Sequence, residues 1–394
     1  MRQRSIAKYA SGHSVKLLQS GNSYFSACEE AIDAATHFIH FQTYIVDDDS
    51  TGRSFVNALK RAAKRGVKVY FLLDAYGGRS FPNRLVKELE EVGALFRKFS
   101  PALISRDFQF SLRLHHKVLL VDGEHAIIGG MNVADRYRGK RNQKEWLDYA
   151  VSLRGPECAY MLYVLKLLWN KTFLKKAEKS REMVHNLALY EENIRVRVVQ
   201  NNWYKNKIEI LRSYRSGLRR AKERVIILAS YFLPGRSERK LLKNASRRGV
   251  DITIVLSAES DTPVFKRATN FLYRFILENN IKIYEYLPSN LHAKVATIDG
   301  RWCTIGSYNL NRLSDYGSIE TNVNIFDEKF TGNFERQLAE LIQKDCRQVT
   351  FDDYIHRQTW LSRAVDWCAY RLIRLMLRLL FSLMPKKGPR KNSV

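Results

Sequence analysis

The chain has 394 residues, 45% of them hydrophobic, with a formal charge of +26 at neutral pH. That length supports two domain-sized units with a large core, and that charge excludes a basic partner in favour of an anionic one, either nucleic acid or an anionic membrane surface. The five cysteines are scattered with no C-x-x-C pair, and no stretch reaches the ~20 uninterrupted apolar residues of a membrane span.

In chain order, the start "MRQRSIAKYASGHSVKLLQSGNSYF" holds no apolar run of signal-peptide length. With unpaired cysteines this predicts a reduced, cytoplasmic setting. "HFIHFQTYIV" (37–46) reads as a buried strand. "NALKRAAKRGVKVYFLLD" (57–74) reads as a basic amphipathic helix ended by Gly66, then a β-branched strand. "VKELEEVGALFRKFSP" (86–101) gives helix, turn, strand and proline. "LHHKVLLVDGEHAIIGGMN" (114–132) follows, then the strand "EWLDYAVSL" and a long helix over 156–179. A charged, uneven linker covers 179–194.

The order then repeats. "RVIILASYFL" (224–233), "LLKNASRRGVDITIVLS" (241–257, with Gly249 at the helix end) and "YRFILENNIKIYEYLP" (273–288) match the three segments above. "LHAKVATIDGRWCTIGSYN" (291–309) matches the fourth, and a closing helix over 333–346 completes the half. Strands alternating with helices predict an α/β fold: two pseudo-symmetric lobes, each a mixed sheet flanked by helices, sharing one site. The expected boundaries are 1–190, 191–350 and a basic tail over 351–394.

The repeated stretches carry the chemistry. His115, Lys117 and Asp122 recur as His292, Lys294 and Asp299, and both copies continue to a turn with Asn132 or Asn309. Residues two apart on a strand share a face, so each histidine projects with its lysine, an arrangement suited to an anion between them. One such pair is usually a solvated face; a second copy in register is not chance. A site on the pseudo-two-fold axis puts both histidines on one ligand. Phosphodiester transfer fits: one imidazole attacks phosphorus, the other protonates the leaving oxygen and later deprotonates the acceptor. Lys117 and Lys294 neutralise the non-bridging oxygens, and Asn132 and Asn309 are placed to bind the phosphate, against the plainer reading of turn-forming asparagines. No metal or other cofactor is expected. Each half offers a carboxylate a little downstream, Asp148 and Glu320, expected behind the histidines to set their tautomer; a structural ion pair competes. Asp122 and Asp299 complete the catalytic set in a supporting role, capping a turn or pairing with a lysine. His116 points to the opposite face and is expected to be structural.

The twin H-x-K-x-x-x-x-D with a following G-[GS]-x-N resembles the phospholipase D superfamily. More closely, "YFLPG", "RRGVDITIVL", "IGGMNVADRY" and "IYEYLPSNLHAKVATIDGRWCTIGSYNLNRLS" resemble bacterial cardiolipin synthases of the type without N-terminal membrane helices, over about residues 14–350. The resemblance implies that His115, Lys117, Asn132, His292, Lys294 and Asn309 surround the phosphate, with Asp148 and Glu320 behind the histidines. It implies that one phosphatidylglycerol donates its phosphatidyl group to an enzyme histidine, releasing glycerol, and that a second accepts it. Where the second copy has Ser307 the first has Gly130, which puts a hydroxyl contact from the first half in doubt.

The same motif serves lipid hydrolases, head-group exchangers and nucleases. The tail favours lipid over nucleic acid. "WLSRAVDWCAYRLIRLMLRLLFSLM" (360–384) places Arg363, Asp366, Arg371, Arg374 and Arg378 on one face, and residues 351–394 hold nine Lys/Arg and three Asp/Glu. A basic stripe beside a wide apolar face suits an anionic bilayer interface, on the cytoplasmic side of the inner membrane; a helix packed on the protein itself is the alternative. Oligomeric state is open. Finally, His115 follows Pro101 by ten more residues than His292 follows Pro288. This apolar insertion, 102–114, is expected to line the mouth of the site or to tuck over the core.

Overall fold

The computed structural model describes residues 9–99, 113–139, 144–170, 180–183, 188–202 and 207–382. The insertion over 102–114, with Phe108 and Phe110, lies outside the described residues apart from Arg113 and Leu114.

The first half runs β1 (Ala10–Gln19), α1 (Asn22–Asp33), β2 (Phe38–Thr43), α2 (Ser50–Lys64), β3 (Lys68–Asp74), α3 (Asn83–Glu91) and β4 (Leu95–Phe99). It continues with β5 (Arg113–Leu114), β6 (Lys117–Val121), β7 (His125–Gly129), α4 (Asp135–Arg138), β8 (Tyr149–Arg154) and α5 (Glu157–Asn170). The second half runs β9 (Ile194–Asn202), β10 (Lys207–Ile208), α6 (Glu209–Arg220), β11 (Arg224–Ala229), α7 (Arg236–Arg247), β12 (Asp251–Ser257), α8 (Pro263–Leu277) and β13 (Lys282–Tyr286). It continues with β14 (Lys294–Ile298), β15 (Trp302–Gly306), α9 (Arg312–Tyr316), β16 (Ser318–Phe326) and α10 (Glu328–Asp345). Then come β17 (Cys346–Val349), α11 (Phe351–Arg357) and α12 (Trp360–Ser382).

The two sheets have the same strand order. The first is β4–β3–β2–β6–β7–β8–β1, parallel across β2, β3 and β4 and antiparallel elsewhere. The second is β13–β12–β11–β14–β15–β16–β9, with β17 added antiparallel beside β13. Each half therefore opens one strand and one helix earlier than the sequence pattern suggests. β1 is rich in polar residues and only partly buried, so its alternation is weak. The second closing helix also starts earlier, at Glu328, where the Asp327 side chain accepts the Phe330 N–H at 2.7 Å and fixes its start.

The sheets pack on each other. Leu120, Ile128 and Val151 of the first share one buried cluster with Val295, Ile305 and Val323 of the second. Two further clusters sit between each sheet and its outer helices. The strands in the middle of each sheet are thus covered on both faces; all six side chains of β2 are buried. Burying two faces of each sheet in this way brings the ends of β6 and β14 together.

The tail does not stand apart. α12 packs along α8, with Arg267 Nη1 3.4 Å from Asp366 Oδ1 and the Phe271 and Tyr370 rings stacked at 4.6 Å. Asp366, Tyr370 and Ile373 are buried there. The sequence pattern groups Asp366 with the arginines as a solvent or headgroup face; the structure instead turns Asp366 inward, because Arg267 and Gln358 satisfy its carboxylate. Among the described residues no helix is long and apolar enough to cross a membrane.

Candidate active site

The two motif histidines precede β6 and β14 and are held by matching backbone bonds. The Leu114 N–H donates to Asp74 Oδ2 at 2.8 Å, and the Leu291 N–H donates to Ser257 Oγ at 2.9 Å. The His115 N–H donates to the Ile319 carbonyl at 3.0 Å, and the His292 N–H donates to the Leu147 carbonyl at 2.8 Å. Those carbonyls belong to the residues just before Glu320 and Asp148. Each histidine is therefore stitched to the residue just before the other half's acid.

The side chains follow. His115 Nδ1 lies 3.0 Å from Glu320 Oε2, and His292 Nδ1 lies 2.6 Å from Asp148 Oδ2. Each half lends its carboxylate to the opposite half's histidine, not to its own. A carboxylate on Nδ1 favours the proton there and leaves Nε2 as the reactive nitrogen; at His292 the Lys294 Nζ also lies 2.9 Å from Nδ1.

The two acids sit in unlike surroundings. Glu320 accepts hydroxyl donors from Ser307 at 2.5 Å, Ser314 at 2.8 Å and Ser318 at 2.7 Å. Burial alone would raise its carboxyl, but His115, Lys117 and Ser307 outweigh it and hold Glu320 below the usual carboxylate range. Asp148 has the His292 ring and the Tyr149 N–H at 2.8 Å. Burial carries it up to about 6, against the pull of Lys294. The difference between the motifs at Gly130 and Ser307 belongs to this pairing. A Cβ at Gly130 would lie 2.5 Å from Asp148 Oδ2, so a serine there would strike the carboxylate; Ser307 instead donates to Glu320.

Lys117 Nζ donates to the His115 carbonyl at 2.6 Å; Lys294 Nζ donates to the His292 carbonyl and stands 3.8 Å from Asp148 Oδ2. Both lysines are almost fully buried. Burial takes Lys117 down to about 7, opposed by Glu320, and lowers Lys294 too. Burial also pushes both histidines toward the neutral form, His292 well below its usual value, with Lys294 and Lys117 adding to the effect. Two lysines and two histidines buried around one site suit the charge of a phosphodiester.

Asn132 and Asn309 are buried next to the motifs. Asn132 accepts the Ile45 N–H at 3.2 Å and donates to the Tyr137 hydroxyl at 3.0 Å. Among the described residues Asn309 Oδ1 has no hydrogen-bond partner. His116 is buried between Gln42 Oε1 and Thr321 Oγ1, both at 3.1 Å.

Asp122 and Asp299 do not join the catalytic set. They stand at the far ends of β6 and β14, roughly 20 Å from the histidines at ~3.3 Å per residue. Both take positive φ, 52° and 54°, in the hairpin turn before Gly123 and Gly300. Asp122 accepts the N–H groups of Thr36, His37 and Phe38 at 2.8–2.9 Å, where β2 begins. Asp299 accepts those of Lys222, Glu223 and Arg224 where β11 begins. They tie the motif hairpin to the neighbouring strand.

Several residues join the site unforeseen. Tyr44 and Tyr231 lie with ring centroids 5.0 Å from His115 and 6.4 Å from His292. They occupy the same place in "HFIHFQTYIV" and "RVIILASYFL", so the repeat held the signal. Tyr137 and Trp146, at 5.2 and 6.1 Å from His292, have no matching partner in the second half to flag them. A shallow cleft opens beside His292, lined by Trp146, Ser230, Glu259, Asp261 and Asn290 among others. Tyr231 donates to Asp261 there at 2.8 Å.

Two H-x-K arms with crossed carboxylates, on twin sheets of identical strand order, define a two-lobed phosphodiester-transfer enzyme of the phospholipase D superfamily. The cardiolipin synthase, PLD-like domain family matches residues 28–147 and 214–342, and the chain belongs to it. Cardiolipin synthase B of Escherichia coli (strain K12) is 31% identical over 373 residues, covering 92% of this chain and 88% of that protein. Cardiolipin synthase B of Salmonella typhimurium (strain LT2) is 30% identical over 375 residues, with the same coverage. The crystal structure of phosphatidylserine synthase from Haemophilus influenzae Rd KW20 shares the fold, with a TM-score of 0.72 at 12% identity, covering 98% of this chain and 100% of that one. The protein is a phospholipid phosphatidyltransferase.

Proposed function

We propose that the chain makes cardiolipin from two phosphatidylglycerol molecules and releases glycerol, at an anionic membrane on its cytoplasmic side. The observation that carries this reading is the crossed pair of histidine–carboxylate contacts, which gives one site two reactive imidazoles from opposite sides. His115, backed by the firmly ionised Glu320, is the nucleophile. Its Nε2 lone pair attacks phosphorus, and the bond from phosphorus to the glycerol oxygen breaks. His292 gives its proton to that oxygen, and glycerol leaves through the cleft beside it. The hydroxyls and carboxylates of this cleft suit a polyol rather than an acyl chain. A second phosphatidylglycerol then brings a hydroxyl to the same side. His292 takes its proton, the oxygen attacks phosphorus, and the P–N bond returns its electrons to His115.

Burial and the two lysines push both imidazoles toward neutrality, which suits the nucleophile; an anionic phosphodiester between the lysines favours the proton that His292 needs as acid. The decisive experiment is mass spectrometry of products from defined lipid mixtures, with labelled glycerol present. Label entering phosphatidylglycerol without net reaction supports transfer through phosphohistidine. Cardiolipin without label exchange argues for direct attack by the acceptor, phosphatidic acid alone for a hydrolase, and cleavage of single-stranded DNA with no lipid product for a nuclease.

A further inference from the structure

Most of the exposed large apolar side chains fall in two sets; Tyr163, Met183, Leu189, Phe351 and Ile355 lie outside them. Tyr76 after β3, Val264 at the start of α8, Leu287 after β13 and Tyr316 at the end of α9 are all exposed. Val264 and Leu287 are 46% and 52% exposed, three residues from the cleft-lining Asp261 and Asn290 respectively. A second set, Leu361, Val365, Leu372, Leu375 and Met376, is exposed along α12.

Register joins the two sets. Asp366 meets Arg267 and Tyr370 meets Phe271, so α12 and α8 run in the same direction. Six residues before the first pair stand Trp360, the first residue of α12, and Asp261 in the cleft wall, two residues before α8 begins. Trp360, 76% exposed, therefore lies toward the end of α8 that is nearer the cleft.

The charge suits one kind of partner. At ~100° per residue, Arg371, Arg374 and Arg378 fall with Trp360 and Trp367 on the flank between the docked face of α12 and its apolar face. At the rim, the Arg79 and Arg113 guanidinium groups lie 4.8 and 4.6 Å from the Tyr76 ring centroid. Arginine and aromatic side chains bordering an apolar strip are what an interfacial helix offers to anionic headgroups.

We infer that the site rim and the outer face of α12 form one surface that lies against an anionic bilayer, with α12 docked on α8 so as to hold the cleft mouth at headgroup level. The inference rests on the transferase reading above and adds the orientation. α12 is a fixed part of the second half, not a tether, so acyl chains stay in lipid while head groups reach the histidines.

The test uses the full chain with Cys346→Ser and Cys368→Ser, which removes the two cysteines that are not buried. One environment-sensitive thiol label is placed at a time, through Val264→Cys, Leu287→Cys or Leu375→Cys. With vesicles of equal phosphatidylglycerol and phosphatidylcholine, all three labels shift to the blue; with phosphatidylcholine alone, none does. A shift at position 375 alone overturns the fixed orientation and leaves membrane binding and transfer standing. No shift at any position, in protein that still sediments with the vesicles, puts the membrane surface elsewhere and overturns the inference. Unlabelled protein that makes no cardiolipin from the same vesicles removes the transferase reading itself.

Discussion

On the proposed mechanism His115 and His292 act on one phosphate, so their losses should not add. We expect His115→Ala and His292→Ala each to lower transfer by roughly 10⁴-fold or more, with the double variant little worse than either. Steady-state rates on phosphatidylglycerol check this; one single variant keeping most of its activity would rule out a shared site. The Gly130 position gives a sharper test of the crossed pairing. Gly130→Ser drives a Cβ onto Asp148, the acid behind the other half's histidine. Its kcat should fall by at least ~10²-fold with KM little changed, since the lost contact serves proton transfer rather than binding. If His292 were oriented from its own half, the substitution would leave kcat near wild type.

At the scale of elements, the motif aspartates hold hairpin to strand. Burial alone would raise the Asp122 carboxyl, but the N–H groups of Thr36, Phe38 and His37 bring it below the usual value. A carboxyl whose folded pKa is depressed adds stability above its unfolded value, about 3.9, and loses it as pH falls through the lower folded value. Asp122→Ala should therefore cost about 2 kcal/mol at pH 7, and the gap to wild type should shrink below pH ~4. Urea unfolding at pH 7 and pH 3 measures both. An equal gap at the two values would mean that the neutral side chain, not its charge, does the capping.

For the whole molecule, α12 changes what a truncation means. Deleting 359–394 removes the proposed membrane face and also uncovers Phe271 and its neighbours on α8, so loss of binding and loss of stability would be confounded. Salt avoids this. Binding to phosphatidylglycerol vesicles should weaken several-fold between low salt and 0.5 M salt, where the screening length is only a few ångströms, yet persist, because the apolar face remains. Sedimentation with vesicles checks it; complete release would make the contact purely electrostatic.

The sequence alone determined the duplication, the α/β alternation and the pairing of each histidine with a lysine. Strand and helix periods act over a few residues, and a repeat in register needs no structure to be seen. It also marked Asp148 and Glu320, since an acid inside an apolar strand calls for a partner. Only the tertiary structure decided which histidine each acid serves, because the His115–Ile319 and His292–Leu147 backbone bonds join residues far apart in the chain. The same holds for Asp122 and Asp299, whose motif spacing puts them in the site by number while strand length carries them to its far end. It holds for α12 as well. An amphipathic pattern shows that a helix has unlike faces, but which face meets protein depends on what α8 offers, and Arg267 and Phe271 claimed the side that bears Asp366 and Tyr370.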